Sequence, residues 1–414
     1  MKKIIILAVA FVILSTFTAC TKKQEDNRTV IKEPGRSITV IDNEDTKYEE
    51  PSISVKQIDK PSHVMEITDW LDEQNIIVSM ENRELEKMKL LEYSEFYSRG
   101  IYIYNIETKE ITPLKVRENM FLGGAKLSPD KKHLLYYEYS IGDIAFFVMS
   151  MNEDGKEKDI KDEVLRLAMT AKWTDENEII GVSYAGGAYT ADTSLNDTPI
   201  VSLEDEQLYT FEKKNNKIYY ITLDENFDMY ILDLNTNVKK KMKIQNVDEI
   251  IPSPDGNQIL IYQSTDTGEK LHVADSEGNI LRTIAVGEEI TRASWSPDQM
   301  MIAYQLGTIV NGVNSRDIYI YDVLAGESTR IAVNYSLAEM VWSPSGDRIA
   351  VSQLNDIGFF NPSIFYLREE NTNHTKEMGY ITSIDTKNKT ISLDRANITL
   401  IDNKVVKISQ RYTP

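Results

Sequence analysis

The stretch WSPDQMMIAYQ, residues 295–305, decides the fold of this 414-residue chain. A bulky residue, Trp295, precedes the turn-forming Ser296-Pro297-Asp298, and seven positions after it Ile302 heads a short apolar run. Proline presets φ for a turn, and an aspartate can accept backbone N–H bonds within it. The same arrangement recurs in WLDEQNIIVSM from Trp70, LSPDKKHLLYYE from Leu127, WTDENEIIGVS from Trp173 and FEKKNNKIYYIT from Phe211. It continues in PSPDGNQILIYQ from Pro252 and WSPSGDRIAVSQ from Trp342. Successive landmarks lie 38 to 57 residues apart, and all four tryptophans occupy the landmark position. A unit of this length built from short strands predicts an all-β chain, a β-propeller in which each repeat is one four-stranded blade.

Within the Trp295 repeat the pattern places four strands near residues 293–296, 300–305, 317–323 and 328–333. These runs are β-branched or aromatic and are separated by turn formers. Constant landmark spacing keeps each landmark side chain in one register, where a tryptophan fills the wedge between blades. Seven landmarks predict seven blades, with eight or six as alternatives. Ile384 and Ile391 also stand seven apart, so residues 380–414 read as a closing hairpin, an extra blade or a small module. Residues 52–58 are placed to pair with the last blade and close the ring.

The units at Leu127, Pro252, Trp295 and Trp342 resemble the WSPDGxxIAF repeats of TolB-type propellers, a branch of the WD-repeat-like superfold. The resemblance covers residues 52–380 and implies a fold rather than a reaction. Such propellers serve as periplasmic binding modules and as domains that gate peptidases.

The chain begins MKKIIILAVAFVILSTFTAC, with two lysines, an apolar run and the single cysteine, Cys20. That order is expected of a signal peptide over residues 1–19. Phe17-Thr18-Ala19-Cys20 resembles a bacterial lipobox, with Phe17 where leucine is usual, and implies lipidation at Cys20. Residues 20–50 are polar and read as a flexible tether, with one short strand near residues 38–41. The propeller itself is expected over residues 51–379. The expected location is extracytoplasmic, with the N-terminal lipid as the only membrane attachment.

The formal charge is −19, and loss of Lys2 and Lys3 with the signal would take it to −21. An acidic surface argues against nucleic acid as a partner, because that polyanion requires a cationic face. No G-x-S-x-G elbow is present, and His63, His133, His272 and His374 fit no metal spacing. The acidic runs lack the spaced ligands of a calcium loop. Neither a metal nor another cofactor is expected. The inner strands read as apolar or unremarkable, so the leading expectation is a monomeric protein- or peptide-binding module without catalysis. The alternatives are a channel hydrolase or lyase using carboxylates, and a sensor subunit of an envelope complex.

Partner recognition is expected on the loop face. Residues 82–99 form an insertion whose Leu85, Met88 and Leu91 spacing suggests a helix, followed by Tyr93, Phe96, Tyr97 and Arg99. Tyr189, in a glycine-rich loop, and Arg316, after a long flexible loop at residues 307–316, complete the candidate surface. Aromatic and arginine side chains are favoured at such sites.

Overall fold

The computed structural model describes residues 28–33, 36–41, 53–91, 94–140, 143–151, 163–165, 171–182, 187–194, 196–200, 203, 207–223, 227–310, 313–355, 358–367, 381–385, 390–393, 396–401 and 404–410. Cys20, Tyr93 and His374 lie outside them. The chain divides into two compact units at Pro51/Ser52. In the first, Arg28–Glu33 pairs antiparallel with Arg36–Ile41, a hairpin where the sequence pattern suggested one short strand.

The second unit is an all-β propeller. Five discrete four-stranded blades are present among the described residues, rather than the seven separate blades expected. Four carry the landmarks Trp173, Phe211, Pro252 and Trp295, each with its strands in sequence order. In the fifth, Ala338–Trp342, Arg348–Asn355 and Gly358–Tyr366 are completed by Gln57–Asp59, which pairs Ile58 with Phe365. The first and last strands of the propeller thus share one blade and close the ring.

The first two repeats do not separate. They form one eight-stranded sheet. One half holds Glu66–Trp70, Asn75–Glu81, Arg99–Asn105 and Ile111–Lys115; the other holds Phe121–Leu127, His133–Ser140, Asp143–Ser150 and Glu163–Leu165. The halves join through a parallel bridge, Arg99 to Phe121, supported by a 3.0 Å bond from Arg99 N to Met120 O. A short link after Lys115 keeps Phe121 beside the edge it has just left, which the repeat spacing does not reveal.

The turn after each Ser-Pro landmark explains the recurring motif. Ser253 Oγ donates to Asp255 Oδ1 at 2.7 Å and accepts from Gln258 N at 3.0 Å, while Asn257 N donates to Asp255 Oδ1 at 3.0 Å. Ser296 repeats the arrangement with Asp298 and Met301 N, and Ser128 with Asp130 and His133 N. All three serines are buried, so each hydroxyl satisfies groups that water cannot reach.

Hydrophobic packing runs between blades as well as within them. Trp342, Ile349 and Phe365 of the last blade share one core cluster with Met301, Ala303 and Ile318 of the preceding blade. Four further strands, Ile381–Asp385, Thr390–Leu393, Ala396–Ile401 and Lys404–Gln410, form an antiparallel sheet in sequence order.

Candidate functional site at the channel mouth

Strands that open successive repeats pack against one another. Glu289–Trp295 meets Ala338–Trp342, and Ala338–Trp342 meets Glu66–Trp70. These strands therefore form the inner wall of the ring. Each of the seven carries at least one charged residue, among them Glu66, Lys126, Lys172, Glu212, Glu249, Arg292 and Glu339. The expectation of an unremarkable inner wall is thus corrected. Its cause is irregular register: bulges fall at Ile67/Asp69, Gly123/Lys126, Leu208/Thr210, Val247/Glu249 and Thr291/Ser294. A bulge re-aims side chains, which simple alternation along a strand misses.

Most of these charges are matched. Arg292 bonds Glu339 at 2.7 Å, and Lys172 pairs with Glu212. Glu249 lies in the field of both Glu212 and Glu339, and crowding by protein, followed by Glu212, pushes its carboxyl up despite its solvent contact. The most enclosed member is Glu66, 7% exposed. Burial raises its carboxyl to about 7, partly offset by Lys126, the Gly124 N–H and Arg99, and reinforced by Glu339. Beside it Tyr137 is pushed up to about 12, first by burial and then by Glu66.

Glycines make this corner. A Cβ on Gly123 would lie 2.7 Å from Tyr137 Oη, and one on Gly124, at φ +58°, would lie 2.5 Å from its Cε1. The Tyr137 ring therefore lies directly on the Gly123-Gly124 backbone, which also presents its N–H to Glu66. Asp69 fastens the two halves below, accepting from Leu127 N at 2.7 Å and Trp70 N at 2.8 Å. Lys126 donates to Thr68 O across the same seam.

Arg99 and a set of rings form the outer part of the site. The Arg99 guanidinium lies 4.7 Å from the Phe121 ring centroid. Its Nη1 lies 2.9 Å from where a Gly358 Cβ would stand, which brings the last blade to the same corner. Phe96 meets Phe121 edge-on at 6.1 Å, and Phe121 lies nearly parallel to Tyr139 at 6.3 Å. Tyr139 and its pairing partner Ile144 are exposed, 39% and 47%. Charge and aromatic surface thus converge where two halves of one sheet and the last blade meet.

Two of the sequence-derived candidates, Phe96 and Arg99, fall in this cluster. Tyr97 instead faces Arg83 and Lys87, at 5.8 and 5.6 Å from its ring centroid. Tyr189 is buried with Leu135, Val148 and Ile179. Arg316 pairs with Glu289 at 2.8 Å in a different blade. The expected helix is a β-hairpin, with Met88 opposite Phe96 and Leu91 opposite Ser94. Its ends must return to adjacent antiparallel strands, and a hairpin does this while pairing Asn82 N with Ser98 O at 2.7 Å. Of the segment expected to be a flexible loop, residues 307–310 and 313–316 extend two strands, with Gly307 opposite Arg316 and Val310 opposite Val313. Sequence reasoning missed Glu66, Lys126, Phe121, Tyr137 and Tyr139. The Gly123-Gly124 pair, unusual inside a strand, was the available signal.

No protein-family model matches the sequence, and no curated protein is significantly similar to it. Solved structures are similar in fold. An oligogalacturonate lyase from Vibrio parahaemolyticus is 11% identical, with a TM-score of 0.53 over 83% of this chain and 97% of that one. An oligogalacturonate lyase in complex with manganese matches at 11% identity and a TM-score of 0.53, over 83% and 96%. An uncharacterized protein from Listeria monocytogenes matches at 12% and 0.50, over 72% and 90%. TolB from Acinetobacter baumannii and the C-terminal WD40 domain of Sif2 are also among the structural neighbours, at TM-scores of 0.41 and 0.49.

The chain is thus an all-β propeller with four-stranded blades, and identities this low speak for the fold alone. The expectation that it lacks catalysis does not stand, because nearly the whole length of a lyase shares its architecture. Manganese belongs to that lyase. Among the described residues here no three His, Cys, Asp or Glu side chains are grouped to hold a metal. The Glu66 carboxyl lies in the field of Lys126, Glu339 and Arg99.

Proposed function

We propose that this protein is a recognition propeller, held on the outer side of a bacterial membrane by a lipid on Cys20. Its protein or peptide partner engages the channel mouth between the two halves of the eight-stranded sheet. The observation that carries this reading is the convergence of Phe96, Arg99, Phe121 and Tyr139 on one corner, beside the buried Glu66. Rings with partial exposure next to an arginine are the side chains that dominate interface energetics. Capture of the partner from detergent-solubilised membranes by the full chain tests it. Tyr139→Ala combined with Arg99→Ala should abolish capture while the protein stays folded. A folded double variant that still captures the same partner would move the site elsewhere.

A second reading is favoured by Glu66 itself. A carboxyl raised to about 7, with Tyr137 and Arg99 alongside, has the properties of an acid–base group near neutral pH. The lyase architecture supports that reading without naming a substrate. Turnover of a captured ligand that is lost in Glu66→Gln, with capture retained, would establish it.

A further inference from the structure

We infer that the cleft between the Pro252 and Trp295 blades is a second binding site, one that takes the C-terminal residue of a polypeptide with an apolar side chain and a free carboxylate. Trp295 ends its inner strand whereas Phe121 begins one, so this cleft opens at the end of the ring opposite the mouth.

The cleft has a volume of about 270 Å³. Small-molecule sites commonly span about 300–1,000 Å³, so this one holds a single residue-sized group rather than an extended chain. Its apolar wall is made by Val273, Ile280 and Leu281 of one blade and by Trp295 and Val323 of the next. Ile280 and Leu281 are 47% and 40% exposed and form an open rim, while Val273 and Trp295 are buried behind them. The Trp295 Nε1 is already committed to Ile251 O at 3.2 Å, so the indole offers the cleft only carbon surface.

Two polar side chains line the same cleft, and each retains bonding capacity. Arg282 crosses from one blade to the other and donates through Nη1 to the Tyr321 hydroxyl. That bond holds the guanidinium in place and leaves donors of its fork for a carboxylate. Arg292, Arg316 and Arg330 of the Trp295 blade each pair with a carboxylate, whereas Arg282 has none at ion-pair distance among the described residues. The aspartates that end two lining strands are held in their own turns. Asp275 accepts from the N–H groups of Glu277 and Asn279, both at 2.9 Å, and Asp322 from those of Leu324 and Ala325, both at 2.8 Å.

Gln258 is the second group. It is 4% exposed, its backbone N–H donates to Ser253 Oγ, and its side-chain amide makes no hydrogen bond among the described residues. A buried amide left unpaired costs free energy, and a peptide group supplies it with both a donor and an acceptor. A chain terminus meets all three demands at once: carboxylate for Arg282, side chain for the apolar wall, peptide group for Gln258. A simple fatty acid has no partner for the amide, and an internal peptide segment has no carboxylate on its backbone.

Calorimetric titration of the full chain in detergent micelles tests this with acetyl-Gly-Leu, acetyl-Gly-Leu-amide, acetyl-Gly-Ser and 4-methylpentanoate. Acetyl-Gly-Leu should bind at least about tenfold more tightly than each of the others, equivalent to roughly 1.4 kcal/mol. Arg282→Gln should bring it down to the level of the amide, and Ile280→Glu, at the exposed rim, should weaken it by charge repulsion. The selectivity is read in the wild-type protein, so the test holds even if a variant does not fold. Equal binding of the acid and its amide would overturn the carboxylate assignment, and equal binding of 4-methylpentanoate the peptide assignment. Binding of none of the four, or selectivity unchanged in folded Arg282→Gln and Ile280→Glu, would remove the site. Capture at the mouth is read separately with the Tyr139 and Arg99 variants, so the two readings fail independently.

Discussion

The indole Nε1 of Trp342 donates to Ser294, at 3.3 Å to its carbonyl and 3.1 Å to its hydroxyl, and so ties the last blade to the one before it. Ser294 stands one residue before the landmark Trp295. The same offset holds wherever a tryptophan is the landmark. Trp295 donates to Ile251 O at 3.2 Å and Trp173 to Lys126 O at 2.9 Å, each acceptor one residue before the preceding landmark. Trp70 donates to Val341 O at 3.2 Å, which joins the first repeat to the last. The repeat is thus a device for docking neighbours, and the ring is complete when the first tryptophan reaches the last blade.

Truncation of these tryptophans should follow their burial. Trp70, Trp295 and Trp342 are 3–7% exposed, and alanine at each should cost about 3–5 kcal/mol. Trp173 is only half-buried and should cost distinctly less. Urea midpoints of the four variants check this. Equal losses at all four would show that burial does not set the scale.

Glycine is favoured where the repeat turn enters left-handed backbone. Gly256 has φ +73°, and a Cβ there would fall 2.3 Å from Asn215 Nδ2. Gly256→Ala should destabilise by at least about 1–2 kcal/mol. Lys131 holds the equivalent turn position at φ 58°. Lys131→Gly should be neutral or stabilise by up to about 1 kcal/mol, since its contact with Leu71 O is lost as strain is relieved. Thermal melts read both.

Glu66 should make stability depend on pH in the sense opposite to an ion-paired carboxylate. Its folded value, about 7, lies above the ordinary 4.5, so the folded state holds the proton more tightly than the unfolded chain. Stability from this group is present below about pH 4.5 and is lost as pH rises through 7. Glu66→Gln should therefore be more stable than wild type at pH 8, by up to roughly 3 kcal/mol, with the advantage shrinking toward pH 5. Chemical denaturation at both pH values decides it; an advantage independent of pH would remove Glu66 as the cause.

Gly124→Ala should impair partner capture and also lower stability, by at least about 1–2 kcal/mol as at Gly256. The added methyl displaces the Tyr137 ring and strains a left-handed residue beside the Glu66 carboxyl. Capture measured well below the melting temperature of the variant should fall at least about tenfold, equivalent to roughly 1.4 kcal/mol. Unchanged capture would place the partner away from this corner.

Cys20 lies outside the described residues, and its lipidation is a proposal from the sequence. Cys20→Ala should release the folded protein from membranes, since stable attachment takes more than one acyl chain and no other anchor is proposed. Retention after a high-salt wash would show a different mode of attachment.

The sequence by itself determined what is local and repeated. Ser-Pro-Asp sets the turns after Leu127, Pro252 and Trp295, the seven-residue spacing sets the register across each landmark turn, and alternation of large apolar residues sets the strands. These depend on neighbours within about a dozen residues, so one repeat can be compared with the next. The charged mouth depends on ring closure. Glu66 meets Glu339, and Trp70 meets Val341, only because Gln57–Asp59 completes the last blade. Bulges then decide which side of an inner strand faces the axis, and one register step reverses that choice. The merging of the first two repeats is likewise settled by a short link that leaves Phe121 beside Arg99. Tertiary structure alone placed those two side chains together, because the strands bearing them belong to different repeats and no local pattern couples them.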